Sequence, residues 1–334
     1  MATSTDTPPP PVGARDRPVS LHGKSGARGD VLFSGLARLA GLSVVVMVVL
    51  VGLFLVVQAA PALRANTANF FTSRLFKVDA QPFQFGIADL LWATVMSSLV
   101  AVLIAVPLGV SIALFLSHYA PSRLARPAGE LVALLAAVPS IIYGLWAAQL
   151  VGPYFEPVQT FLQHVLGWIP LFAKTSVSGS STVLFAGVVL GIMILPIITS
   201  LSKEVFVQTP RTQQEGAIAL GATRWEMIRT TVLPFGKSGV ISAAMLGLGR
   251  ALGETIAVTI IVSSLSNEAR QHFSLSLFNG GETFASRIAN NAAEFDTPLK
   301  AGAYISAGLV LFALTFFVNA IARIVIQRQG AFSE

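Results

Sequence analysis

Two charged side chains, Arg250 and Glu254, stand inside an otherwise apolar run from 240 to 262. If that run crosses a bilayer as one helix, Arg250 lies near its middle, roughly 15 Å from either face. Each charge at such a depth costs about 2.5–3.5 kcal/mol. A guanidinium presents paired donors to one anion and keeps its charge where a lysine would lose it. Spacing of i, i+4 puts the two residues on one helical face, where the carboxylate can hold the guanidinium when no anion is present. Gly249 and Gly253, also four apart, leave a bare strip for another backbone to approach. The alternative is an ion pair that does no more than fix helix register.

The surroundings of this pair are those of a membrane protein. Of 334 residues, 54% are hydrophobic and 11% charged, against about a quarter charged in soluble domains. There is no cysteine, which excludes disulfides, thiolate metal sites and cysteine nucleophiles. The four histidines, His22, His118, His164 and His272, fall in separate segments without ligand spacing and read as surface or interfacial residues. No Gly-x-Ser-x-Gly nucleophile elbow is present.

Residues 1–30 form a Pro-, Gly- and Arg-rich basic tail read as disordered. A stretch of 19 residues, 39–57, then carries no charge and is long enough to span. It reads as an anchor rather than a cleaved signal, despite the small residues Ala59-Ala60-Pro61-Ala62. Five more spans are predicted at about 90–117, 128–150, 181–202, 239–262 and 301–322, giving an all-α polytopic fold of six transmembrane helices. Lys and Arg then number 14 on the side of the termini and the 203–237 loop, and 7 on the other, with Arg250 within a span. The positive-inside rule places both termini and that loop in the cytoplasm. The net charge of +6 is explained by orientation, and no nucleic-acid partner is called for.

Pro107, Pro139 and Pro196 fall inside predicted spans, where a missing donor and a steric clash should kink or break each helix. Gly187 and Gly191 read as a helix-packing pair. In the segment 61–88, Phe70, Phe71, Phe76, Phe83 and Phe85 among polar residues read as interfacial, lying at the head groups. Trp168 reads as an interface anchor.

The 203–237 loop carries the most specific pattern. Thr209 and Pro210 look like a helix N-cap and first position. Then follow Glu215-Gly216-Ala217, three residues, Gly221, nine residues, and Thr231-Val232-Leu233-Pro234. Gly221 permits a turn, and an amphipathic segment from 225 to 232 leads into the span of Arg250. The alternative is an ordinary surface helix-turn-helix.

This spacing resembles the EAA motif of ABC-importer permeases: Glu-Ala-Ala, three residues, Gly, nine residues, Ile, one residue, Leu-Pro. Gly216 and Thr231 depart from it. Two further stretches, Gly249-Arg250-Ala251-Leu252-Gly253-Glu254-Thr255 and 138–146 (Val-Pro-Ser-Ile-Ile-Tyr-Gly-Leu-Trp), resemble phosphate-importer permeases of the PstC type. The likeness runs from about residue 90 to the C-terminus. Sulfate and molybdate permeases show a similar Arg-Ala-Leu-Gly-Glu stretch, generally followed by Phe-Gly where this chain has Thr255-Ile256.

The resemblance implies a type I ABC-importer permease bundle in the bacterial plasma membrane. Hydropathy and charge bias divide the chain into an anchor at 31–60, an extracytoplasmic segment at 61–88, a core at 89–323 that holds the 203–237 loop, and a cytoplasmic tail at 324–334. The resemblance assigns ATPase coupling to Glu215, Ala217, Gly221, Leu233 and Pro234, and the substrate pathway to Arg250, Glu254, Ser140 and Thr255. The expected partners are a second permease chain, two ATPase subunits and an extracytoplasmic phosphate-binding protein, with phosphate as substrate. A Gly-x4-Gly-Lys-Ser/Thr motif is missing, since Pro18 and Thr231 stand where its first glycine is needed. ATP and Mg would therefore sit on the partner ATPase, and this chain is expected to bind no cofactor. A sulfate or molybdate permease, or a stand-alone secondary anion carrier, are the alternatives.

Overall fold

Long apolar stretches in a chain with few charges must form helices, because lipid offers the backbone no hydrogen-bond partner. The computed structural model describes residues 27–79, 81–175, 177, 179–262 and 275–330. Of the tail expected to be disordered over 1–30, residues 1–26 lie outside the described residues, as do His22 and His272, while 27–30 instead form the first turn of a helix. The first helix, α1 (Ala27–Ala65), is far longer than the charge-free run within it. It divides between two compact units at residues 51 and 52. In the first unit, the side chains described along 29–51 are exposed all round, as suits a helix whose solvent is lipid.

The second unit holds everything else. A small hairpin, β1 (Phe76–Lys77) and β2 (Gln84–Phe85), pairs antiparallel with Phe76 opposite Phe85. Helix α2 (Ala88–Leu114) follows and ends in a π turn, Phe115–Tyr119. Next come α3 (Ser122–Ala136), α4 (Ser140–Trp146) and α5 (Phe155–Leu166). The stretch from Ser140 to Leu166 is bent 91° from α3. Helix α6 (Val183–Val207) is capped by the Thr182 hydroxyl, which accepts from the Phe185 amide. Beyond it lie α7 (Arg211–Ala219), α8 (Arg224–Met227), a π turn at Ile228–Val232 and α9 (Leu233–Leu252). The chain closes with α10 (Ile256–Ile261), α11 (Phe284–Asn290) and α12 (Pro298–Gly330). Among the described residues, five helical stretches are long and apolar enough to cross a membrane, and a sixth crossing is reached if the bent 122–166 pair forms one span.

The core is α2 against α6, and small residues let the two backbones close up. A Cβ on Gly187 would stand 2.7 Å from Val100 Cβ, and one on Gly191 3.3 Å from the Ala101 carbonyl. The predicted packing role of this pair holds. Around it, Phe185, Met193, Ile194, Val258 and Ala251 fill a buried cluster.

Several expectations need correction. Of the three prolines expected to kink or break their helices, Pro139 stands at a break, the 91° bend. Pro107 and Pro196 lie within the uninterrupted α2 and α6. Neighbouring helices pack around those two segments, so the local loss of one donor does not end the helix. The phenylalanines of 61–88, expected to face outward as interfacial side chains, for the most part pack on one another. Phe83 and Phe85 are buried with Val78, Ala303 and Tyr304, and Phe70 and Phe76 pack against them. Edge-to-face contacts such as Phe70–Phe85, with centroids 5.8 Å apart, add to the burial. Phe71 alone of the five is well exposed. Ion pairs clasp this outer cluster: Arg74 to Asp89 at 3.0 Å and Arg287 to Glu282 at 2.6 Å. The Arg287 guanidinium also lies over the Phe76 ring. The caps of α7 shift by one residue: Pro210 is its N-cap and Thr209 precedes it.

Candidate functional site

The expected single span over 239–262 does not form. Helix α9 stops at Leu252, Gly253 through Thr255 leave the helical path, and α10 starts at Ile256. Arg250 therefore occupies the last turn of one helix, while Glu254 belongs to the break. The two are not an ion pair among the described residues. Glu254 turns inward, is buried, and accepts a hydrogen bond from the Ala257 amide at 3.1 Å. Its carboxylate thus caps α10, as a carboxylate does at any helix start. The helix breaks here because a Gly-Glu-Thr sequence offers the backbone this local alternative.

Arg250 is left exposed. Its depth follows from its neighbours. Ala251 belongs to the buried cluster that includes Met193 and Ile194. A Cβ on Gly247 would meet Ile198 Cδ1 at 3.0 Å. These contacts lie around the middle of α6, so the guanidinium emerges from the bundle about half-way across. Gly249 has open space where its side chain would be, and Gly253 meets nothing nearer than the Gly249 carbonyl at 3.7 Å. The two glycines are therefore left open by the described residues, although the helix break puts Gly253 beyond the end of α9.

A second helix break converges on the first. The chain turns at Ala137–Pro139, and α4 leaves from Ser140. Gly144 of α4 sits so close to α10 that a Cβ there would stand 2.9 Å from Ala257 Cα. Tyr143, one residue before it, donates its hydroxyl proton to the Leu135 carbonyl at 3.0 Å, bridging its own break. The structure thus brings Arg250, Glu254 and Thr255 to one place, with Ser140 at the start of the helix packed against them. The Thr255 hydroxyl donates to the Gly253 carbonyl at 3.3 Å and stabilises the break. Tyr143 was not singled out from the sequence. Its signal was the proline four residues before it, which marks a break that needs a local partner.

The coupling segment lies at the far end of the same helical run. Gly221 adopts φ +91°, a conformation that costs any residue with a Cβ about 1–2 kcal/mol. This is the turn the sequence called for. Ala217 packs against the cluster of Phe206, Met227 and Val232, and Leu233 joins it. Glu215 is exposed, as are Ile218, Leu220 and Trp225, with Leu220 92% accessible. Pro234 stands at the start of α9, just after the π turn that accommodates its missing amide. From Arg224 to Leu252 the chain is helical throughout, so the amphipathic segment and the span are one rod. At 1.5 Å per residue, about 39 Å separates Arg224 from Arg250. His118, in the π turn after α2, bonds to the Ser117 hydroxyl at 2.7 Å. The other described histidine, His164, is exposed as expected.

Known proteins place this arrangement. Residues 105–330 match the model of the family described as binding-protein-dependent transport system inner membrane component. The chain is 54% identical over 308 residues to "Phosphate transport system permease protein PstC 2" of Mycobacterium tuberculosis, covering 91% of this chain and 94% of that one. It is 37% identical over 307 residues to "Phosphate transport system permease protein PstC" of Mesorhizobium japonicum, covering 90% and 91%. Among solved structures, a chain of the bacterial alginate ABC transporter, in complex with an alginate pentasaccharide-bound periplasmic protein, aligns with a TM-score of 0.56. That alignment covers 91% of this chain and 96% of that chain at 14% identity, a likeness of fold. The protein is a multi-pass inner-membrane protein, and it belongs to the binding-protein-dependent transport system inner membrane component family.

Proposed function

We propose that this chain is the permease subunit of an ATP-driven importer of inorganic phosphate, forming half of the translocation path. The observation that carries the reading is the placement of Arg250: an exposed guanidinium half-way across the bundle, on the end of the rod that begins at the coupling turn. A lipid-facing arginine at that depth would be costly, so the position makes sense when it faces a hydrated path shared with a second permease chain. The permeases of phosphate transport systems at 54% and 37% identity support phosphate as the anion.

In this mechanism an extracytoplasmic binding protein delivers phosphate, and Arg250 takes it with two donors of its fork. Because Glu254 is engaged in capping α10, the guanidinium is available to the anion rather than held in a salt bridge. Tyr143, Ser140 and Thr255 line the same junction of broken helices, where irregular backbone is tolerated because it borders a cavity. Glu215, Gly221 and the exposed Ile218, Leu220 and Trp225 form the surface on which an ATPase subunit docks. Two such ATPase subunits hold ATP and Mg, and their closure moves α7. The helical run 224–252 transmits that motion to Arg250, and the bundle alternates between outward and inward openings. Both termini lie in the cytoplasm. A stand-alone secondary carrier would leave the exposed coupling surface without a purpose.

The test is phosphate-stimulated ATPase activity of the reconstituted complex carrying Arg250→Gln or Arg250→Lys, compared at equal assembly. Losing a hydrogen bond to a charged group is worth about 1.5–3 kcal/mol. Stimulation should therefore fall by roughly 10- to 150-fold in Arg250→Gln, and less in Arg250→Lys, which keeps the charge but loses the fork. Wild-type stimulation in both variants overturns the substrate role. Competition of labelled phosphate uptake by sulfate and molybdate separates the oxyanions.

A further inference from the structure

We propose that the groove between α9 and α12 is a binding site for an acidic phospholipid of the inner leaflet. The groove encloses about 690 Å³ and is lined on one wall by Ser242, Met245 and Leu246 and on the other by Phe316, Asn319 and Arg323. That volume is ample for a small-molecule ligand. The residues are graded along the helix axis. Arg323 and Asn319, four apart on α12, share one face, are exposed, and make no hydrogen bond or ion pair among the described residues. Phe316 lies one turn deeper and, with Leu246 across the groove, exposes more than half of its surface. A polar, cationic end thus opens into an apolar trough.

The depth of these residues is set by the other end of α12. Lys300 is paired there with Asp79 and Asp296, outside the hydrocarbon. Arg323 is 23 residues further on, about 35 Å at 1.5 Å per residue. A hydrocarbon core is about 30 Å thick, so Arg323 reaches the opposite head-group layer. Asn319 is about 6 Å inside it and Phe316 about 10 Å. A phosphodiester takes two donors from the guanidinium and one from the Asn319 amide. One acyl chain of the same molecule then lies along Phe316, Met245 and Leu246. Free phosphate would satisfy Arg323 but leave the trough unfilled, so the occupant is a lipid. Basic pockets between spanning helices on the cytoplasmic side are the physical setting for acidic head groups. That the site faces the inner leaflet rests on the orientation proposed above. The lipid would bear on the rod that ends in Arg250, since α9 forms one wall.

The experiment uses the assembled complex in nanodiscs of phosphatidylcholine containing 20% of a photo-crosslinkable phosphatidylglycerol. Wild type is expected to crosslink on residues of α9 or α12 bordering the groove. Arg323→Gln should lower the yield at least threefold, Asn319→Leu less, and Arg323→Lys should restore most of it. Equal yield with a crosslinkable phosphatidylcholine, or no change in Arg323→Gln, overturns the proposal. So does displacement of the label by 10 mM inorganic phosphate, or protection of Leu246 by the second permease chain. Phosphate-stimulated ATPase measured on the same samples separates this result from the importer reading. If stimulation is absent in wild type while the crosslink persists, the importer reading fails and the lipid site stands. Delivery of the probe to one leaflet of liposomes tests the orientation on its own.

Discussion

At the scale of single residues, Arg250 and Glu254 divide the work that a paired reading assigns to them jointly. The carboxylate serves the backbone, accepting from Ala257 at 3.1 Å, and the guanidinium serves the open face. The separation makes the two positions testable one at a time. Glu254→Gln keeps a carbonyl oxygen where the cap needs an acceptor, so the thermal midpoint of the assembled complex should move little. Glu254→Ala removes it and should cost about 0.5–2 kcal/mol, the usual loss for a helix cap. The measurement is thermal unfolding of the complex with and without phosphate. Equal destabilisation by Gln and Ala would mean that the negative charge, rather than the cap, is what the site uses.

Among the elements, the coupling turn and the rod behind it carry the sharpest mechanical demand. Gly221 requires positive φ, whereas Gly216 is an ordinary helical residue with nothing within 4 Å of an added Cβ. Gly221→Ala should therefore strain the turn by about 1–2 kcal/mol and reduce phosphate-stimulated ATPase activity more than basal activity. Gly216→Ala, which restores the usual motif, should leave coupling intact and stabilise α7 by about 0.5–1 kcal/mol. ATPase assays of the two variants side by side check the contrast. This turn was legible in advance, since only glycine fits its conformation and the intervals around it are specific. The spans were legible for a similar reason, because hydropathy is the physical cause of insertion. The break at 253–255 was not, for Gly-Glu-Thr inside a continuous apolar run differs little from a helix carrying an ion pair. The aromatic hairpin misled for another reason: phenylalanines among polar residues have one composition whether they lie in a membrane interface or pack on one another. Only the partners on α12, Ala303 and Tyr304, more than two hundred residues away, decide between the two.

For the whole molecule, the natural lack of cysteine makes orientation a clean measurement. Thr72→Cys in the outer segment should react with an impermeant maleimide in intact cells, and Thr212→Cys on α7 only after permeabilisation. The reverse pattern would invert the proposed topology. The same molecule leaves one surface unfinished. At the end of α9, Gly249, Arg250 and, just beyond the helix, Gly253 are left open by the other described residues of the second unit, and a bare glycine strip in a membrane serves close approach of another helix. If a second permease chain fills it, a side chain at Gly249 should do little to the fold of this chain, because nothing stands within 4 Å of its Cβ, yet it should hold the partner off. Co-expressed with its partners, Gly249→Leu is expected to reach the membrane in wild-type amount while the affinity-purified complex contains several-fold less second permease. Gly187→Leu would meet Val100 Cβ at 2.7 Å and should instead lower the amount of the chain itself. Full recovery of partner with Gly249→Leu would mean that the strip faces the hydrated path, leaving Arg250 reachable from the path without a second backbone against it.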